Sequence, residues 1–150
     1  MANVIPNSFR GSLFSAHHNF ASGGNTFKLA LYTAGSGAPY STASTVYTSG
    51  TANQVGTSGT GYSTGGNTLT SQAVASSTAV ASVDFADTEW TSATFTAAYG
   101  VIYNSSTVDS TADRLVVVLD FGGNKTCTNG TFKITFPNPS TPGDAILSMA

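Results

Sequence analysis

The last third of the chain carries the most regular pattern. In residues 131–136, Phe132, Ile134 and Phe136 interleave with Thr131, Lys133 and Thr135, the two-residue period of a strand with one buried face. Residues 94–103 place Phe95, Ala97, Tyr99, Val101 and Tyr103 on one face of another strand. Residues 114–121 place Leu115, Val117, Leu119 and Phe121 on one face with Val116 and Val118 opposite. Apolar residues on both faces predict a central strand covered on both sides. A short last strand is expected within 144–149, with Ala145 and Leu147 against Ile146. The polar residues 104–113 and the Gly/Asn-rich residues 122–129 read as the connections between these strands.

Upstream, Phe27, Leu29 and Leu31 alternate with Lys28, Ala30 and Tyr32, predicting a strand over 26–33. Two more are expected over 67–75 and 78–86, the second aligning Ala79, Ala81, Val83 and Phe85. Thr64-Gly65-Gly66-Asn67 is a turn signal, and Trp90 is expected as a buried anchor. Residues 34–64 are a long Gly/Ser/Thr stretch with Tyr40, Tyr47 and Tyr62, with brief pairing expected over 45–48. A stretch of that length without elements of its own is unusual inside a compact domain.

Residues 1–25 differ from the rest. Asn7 or Ser8 is placed to cap a short helix carrying Phe9, Leu13 and Phe14 on one side, weakened by Gly11. This segment reads as an arm that either packs on its own sandwich or reaches a neighbouring subunit. The pattern as a whole predicts an all-β protein: an antiparallel, jelly-roll-like β-sandwich of about seven or eight strands over 26–150, preceded by an N-terminal arm or helix over 1–25. No helix–strand alternation suggests a parallel α/β sheet.

Composition sharpens this picture. Among 150 residues only 8% are charged, against about 25% in ordinary domains, while 40% are hydrophobic. That excludes the disordered class, and polarity comes from Ser, Thr, Asn and Gly. Such a surface is cheaper to desolvate than one of Lys and Glu, which suits lasting contacts with other subunits. Arg10, Lys28, Arg114, Lys125 and Lys133 are scattered, so no basic patch for nucleic acid is expected. No apolar run approaches a membrane span, and residues 1–7 lack the features of a signal peptide. The single Cys127 leaves no internal disulfide, consistent with synthesis in a reducing cytoplasm.

Candidate chemistry is sparse. Cys127 with His17 or His18 lacks any nucleophile signature. The His17-His18 dipeptide lacks further metal ligands at suitable spacing, so packing or capping is the expected role. Asp84, Asp87 and Glu89 form the acidic cluster, without the glycine and terminal glutamate of a calcium loop. No pair of carboxylates is singled out as a glycosidase pair. The glycine-rich stretches 59–62 and 64–67 precede no helix and lack Gly-Lys-Ser/Thr. Sequons at Asn104, Asn124 and Asn129 are expected to be unused. No catalytic residue, cofactor or metal is expected.

The order of segments carries a resemblance. Phe27-Lys28-Leu29-Ala30-Leu31-Tyr32-Thr33 follows His18-Asn19-Phe20. Gly59-Thr60-Gly61-Tyr62 with Gly65-Gly66 comes next, then Val83-Asp84-Phe85-Ala86-Asp87 with Trp90. Gly100-Val101-Ile102-Tyr103-Asn104, Leu119-Asp120-Phe121-Gly122 and Asn129-Gly130-Thr131-Phe132 complete the set. Over residues 9–150 this resembles a family of small structural proteins of tailed bacteriophages. The resemblance implies a virion component. The expectation built on it is a capsid decoration (cement) protein on the capsid exterior, made in the host cytoplasm. It would bind the outer face of the major capsid protein as a homo-trimer, with no nucleic-acid or membrane partner. Contacts are expected from Phe9, Leu13, Phe14, Phe20, Tyr40 and Tyr47. The alternatives are a neck, tail or fibre protein, or a carbohydrate-binding sandwich that stacks sugars on Tyr40, Tyr47 and Tyr62.

Overall fold

A computed structural model of the protein describes residues 3–35, 37–76, 79–137 and 145–149. Among them are one helix, α1 (Asn7–Phe14), and seven strands. The strands are β1 (Phe27–Tyr32), β2 (Asn67–Thr68), β3 (Ala73–Ser76), β4 (Ala81–Asp84), β5 (Thr88–Asn104), β6 (Arg114–Ile134) and β7 (Leu147–Met149). They form two antiparallel sheets, in the orders β2-β1-β5-β6 and β3-β4-β7. The fold is all-β and sandwich-like with a short N-terminal helix.

Its backbone is the β5–β6 ribbon, strands of 17 and 21 residues paired from Asn104↔Arg114 to Thr88↔Ile134. Residues 122–129, expected as a turn, lie inside β6: Lys125, Thr126 and Cys127 pair with Ala97, Thr96 and Phe95. The glycines there serve as irregularities within the strand, Gly122 and Gly123 both having positive φ. Four register shifts interrupt the ribbon, and they re-aim side chains. Phe95 and Ala97 face the core between the sheets, whereas Tyr99, Val101 and Tyr103 face the other side. The single face expected for these five residues is therefore split: Ala98 and Tyr99 both lie on the outer side, so the alternation of β5 itself breaks at the register shift where Ala97 faces Lys125 and Tyr99 faces Asp120. A second shift separates Leu115 from Val117 and Leu119, which pack on the inner side. The alternation over 131–136 holds: Phe132 and Phe136 are buried, and Thr131, Lys133 and Thr135 are exposed.

Each face of the four-stranded sheet has a core. The inner one joins Phe27, Leu29 and Leu31 of β1 to Phe85 after β4, with Trp90, Phe95 and Phe132 at the far end of the ribbon. Trp90 is buried as expected. The outer one gathers Tyr32, Tyr99, Val101, Tyr103, Leu115 and Val118. An outward apolar face needs a cover. The first half of the long Gly/Ser/Thr stretch supplies it, with Tyr47 buried in the outer cluster and Ala34, Ala38 and Tyr40 packed against it, while Val55 and Tyr62 further on join the inner core. The part of the stretch around Tyr40 and Tyr47 is thus a third layer.

The chain also closes part of the edges of this sheet. β6, expected as a central strand, is a border strand, but Val4 exchanges two backbone hydrogen bonds with Val118, at 2.9 and 2.8 Å. Further along, Leu115 N–H donates to Thr45 C=O and Tyr47 N–H to Asp113 C=O. Beside β1, the N–H groups of Thr33 and Leu69 donate to Asn53 and Phe27, and Val55 N–H donates to Leu31. The single strand expected over 67–75 breaks at Ser71, whose φ is 53°. β2 stays with the large sheet and β3 passes to the small one.

In α1, the residue at the N-cap is Pro6, with no side-chain cap; Ser8 Oγ instead donates to Ser44 C=O at 2.8 Å. Phe9 is buried and Leu13 packs on the inner core, but Phe14 is 94% exposed. At about 100° per residue, Leu13 lies about 40° from Phe9 and Phe14 about 140°, so Phe14 leaves the buried face.

Candidate interaction surface

The tyrosines are built into the fold. Tyr47 stacks on Tyr103 with ring centroids 4.0 Å apart and planes within 8°, and Tyr103 Oη donates to Gly65 C=O at 2.9 Å. Gln54 Nε2 donates to Tyr47 Oη at 2.9 Å and to Tyr62 Oη at 3.1 Å, while Gln54 Oε1 accepts from Gly50 N–H. Tyr62 Oη also accepts from the buried Leu31 N–H at 3.1 Å. Tyr32 Oη lies 3.3 Å from Tyr40 Oη and 3.2 Å from Thr51 Oγ1. Burial pushes the phenols of Tyr32, Tyr47, Tyr62 and Tyr103 up, so all four remain neutral. Of Tyr40, Tyr47 and Tyr62, considered for sugar stacking in the alternative reading, Tyr47 and Tyr62 are 5% and 3% exposed and offer no open ring face, and Tyr40 is half-buried.

A second polar hub ties the N-terminal segment to the end of β5. Asn104 is fully buried. Its Nδ2 faces His17 C=O at 3.2 Å, Asn25 Oδ1 at 3.1 Å and His18 Nδ1 at 3.3 Å, and its Oδ1 accepts from Ser106 N–H. With Nδ2 as donor, His18 Nδ1 is the bare nitrogen and the ring proton sits on Nε2. The His18 ring lies among Phe9, Phe20 and Phe27. Burial first, then the positive charge of Arg114, lowers its pKa to about 4. The adjacent His17 turns elsewhere, its Nε2 3.7 Å from the exposed Asp109 carboxylate. The sequon asparagine at 104 is sealed inside this hub.

The remaining candidates stay apart. Cys127 pairs with Phe95 across the ribbon, whereas His18 adjoins Asn104, nine residues or about 30 Å further along β5. Asp87 accepts from Lys133 Nζ at 2.9 Å and from Phe136 N–H at 3.0 Å. The Lys133 ammonium holds that carboxyl below the usual range, which makes it a brace on the strand end. Among the described residues no three His, Cys, Asp or Glu side chains converge as a metal site would require.

The outward surface is where interaction remains available. Of the six residues expected to make contacts, Phe9, Phe20 and Tyr47 are buried in this chain's own cores, Leu13 and Tyr40 are half-buried, and Phe14 stands free. Among the described residues, Val74 and Met149 are the other large apolar residues in the open, at 57% and 64% exposure. Both belong to the small sheet, whose strands were expected but which was not named as a contact surface. The cue in the sequence is the absence of any charged residue over 67–83. A recess of about 590 Å³ lies beside the far half of β6, walled by Leu119, Phe121, Phe132 and Ile146 with Lys125 and Lys133 among its polar lining. No helix is long and apolar enough to cross a membrane among the described residues. In comparisons with known proteins, no family model, no curated protein and no solved structure matches the chain.

Proposed function

We propose that this protein is a structural component of a tailed-bacteriophage virion, a decoration protein that binds the outer face of the major capsid protein and braces the shell. The order of motifs over residues 9–150 motivates the reading. The observation that carries it is the allocation of side chains. The tyrosines, Asn104 and both histidines are engaged within the scaffold, while a large aromatic, Phe14, stands 94% exposed on α1. Interfaces take most of their energy from a few aromatic or Arg anchors. A rigid sandwich with a charge-poor, hydroxyl-rich surface suits contacts repeated over a shell, where many modest contacts combine.

The test uses capsids that lack the protein. Deleting the N-terminal segment would remove Phe9 from the core, so the informative change is Phe14→Ser, which touches nothing buried. The wild-type chain is expected to co-sediment with expanded capsids, and F14S to bind about 10- to 100-fold more weakly. Undiminished binding by F14S, at an unchanged melting temperature, removes Phe14 as the anchor. Failure of the wild-type chain to bind any capsid removes the reading.

A further inference from the structure

We infer that β3 is a self-association edge, at which two copies of the chain pair β3 with β3 antiparallel across a two-fold axis. The observation is a contrast between the sheets. The large sheet has part of its edges closed by the chain itself, with Val4 on Val118, residues 45–47 on the start of β6 and residues 53–55 beside β1, and the stretch of β6 beyond Asp120 that is left uncovered carries Lys125 and Lys133. In the small sheet β4 is central, and β3 pairs with it from Ala73↔Asp84 to Ser76↔Ala81. The other side of β3 has no backbone partner among the described residues. All four of its side chains are exposed on both faces. A strand held on one side only, with no buried face, gains little stability from its own chain.

The occupant follows from chemistry. An edge strand is a template for another strand, and natural chains protect such edges with Lys, Pro or inward charges. Ala73-Val74-Ala75-Ser76 has none of these, and the whole run 67–83 is uncharged. A second copy therefore meets no like-charge repulsion at this edge, and the net charge of −2 per chain adds little. A two-fold axis makes any strand its own antiparallel complement, each donor meeting an acceptor. The small side chains let the two backbones approach without a clash. Four residues per copy bury far less than the ~1,000 Å² of a lasting interface, so the pair forms at about 0.1–1 mM. It departs from the trimer expected at the outset, and it stands independently of the capsid reading.

The test is sedimentation velocity of the full chain from about 10 μM to about 1 mM, with amide exchange at both ends of that range. The weight-average mass is expected to rise from 15.2 kDa toward twice that value, and exchange over 73–76 is expected to slow with concentration. Val74→Lys and Ser76→Lys, both at exposed positions, are expected to stay at the monomer mass. A mass fixed at 15.2 kDa, a mass converging on three times that value, association unchanged in both lysine variants, or protection confined to another segment would each overturn the proposal. If a variant fails to fold, the concentration dependence of exchange in the unmodified chain decides the matter alone.

Discussion

His18 is expected to make the fold sensitive to mild acid. Its ring centroid lies 4.9, 6.0 and 6.4 Å from those of Phe9, Phe20 and Phe27. Nδ1 is held as an acceptor by Asn104 and Nε2 has no hydrogen-bond partner. A second proton must enter on Nδ1, facing the amide donor, and the resulting charge must sit against aromatic rings. The pKa is therefore about 4 in the fold against 6.5 in the unfolded chain. Between these values the unfolded state binds more protons, so stability rises with pH. The full contribution is present above pH 6.5 and is lost as pH falls through 4. The pKa difference corresponds to about 3 kcal/mol at full effect, and residual solvent screening reduces that to about 2–3 kcal/mol. Against a total of about 5–15 kcal/mol for a domain, this is a readable fraction. The assay is urea unfolding from pH 7.5 to 4, comparing the wild-type chain with His18→Phe, which keeps the aromatic box and cannot titrate. Subtracting the two curves removes the carboxylates Asp87, Asp113 and Asp120, which titrate in both. The wild-type chain is expected to lose about 2–3 kcal/mol relative to the variant over that range, a midpoint change of about 1 M urea. A flat difference, or one of opposite sign, would refute the burial argument.

The other predictions bear on the scaffold. Gly66 has φ 73°, and a Cβ there would meet the Leu29 carbonyl; Gly66→Ala is expected to cost at least about 3 kcal/mol in denaturant unfolding. Gly122→Ala, with φ 71° and open space around it, is expected to cost only about 1–2 kcal/mol, and equal losses would contradict the close approach. Gln54→Leu removes both side-chain donors to Tyr47 and Tyr62 and is expected to cost about 2–4 kcal/mol. Calorimetry checks this: a melting temperature within a degree of wild type would mean that residues 34–64 do not depend on that network.

The outline of the fold was legible because burial writes a two-residue period. Phe132, Ile134 and Phe136 kept it, and Val116 to Val118 announced a strand covered on both faces. What was hidden is what breaks the period. The shift beside Ala97 turns Tyr99, Val101 and Tyr103 to the outer side, and residues 122–129 look like a turn because the glycines that re-aim a long strand are also turn formers. The role of residues 34–64 was hidden for another reason. Tyr47 covers Tyr103, 56 positions away in the chain, and no local pattern records such a contact. The candidate surface was the least visible: of the six residues named from their aromatic or apolar character, Phe9, Phe20 and Tyr47 are buried in the cores and Leu13 and Tyr40 pack against them. Val74 was missed because an open sheet edge is marked by charges that are absent.

The most direct measurement for the functional reading is electron cryo-microscopy of phage particles assembled with and without the protein. The decoration reading predicts hundreds of copies per particle as density repeated over the outer shell, with heads that break more readily when it is missing. Density confined to a ring of about a dozen copies or fewer at the neck or tail, with heads equally robust in its absence, would contradict it.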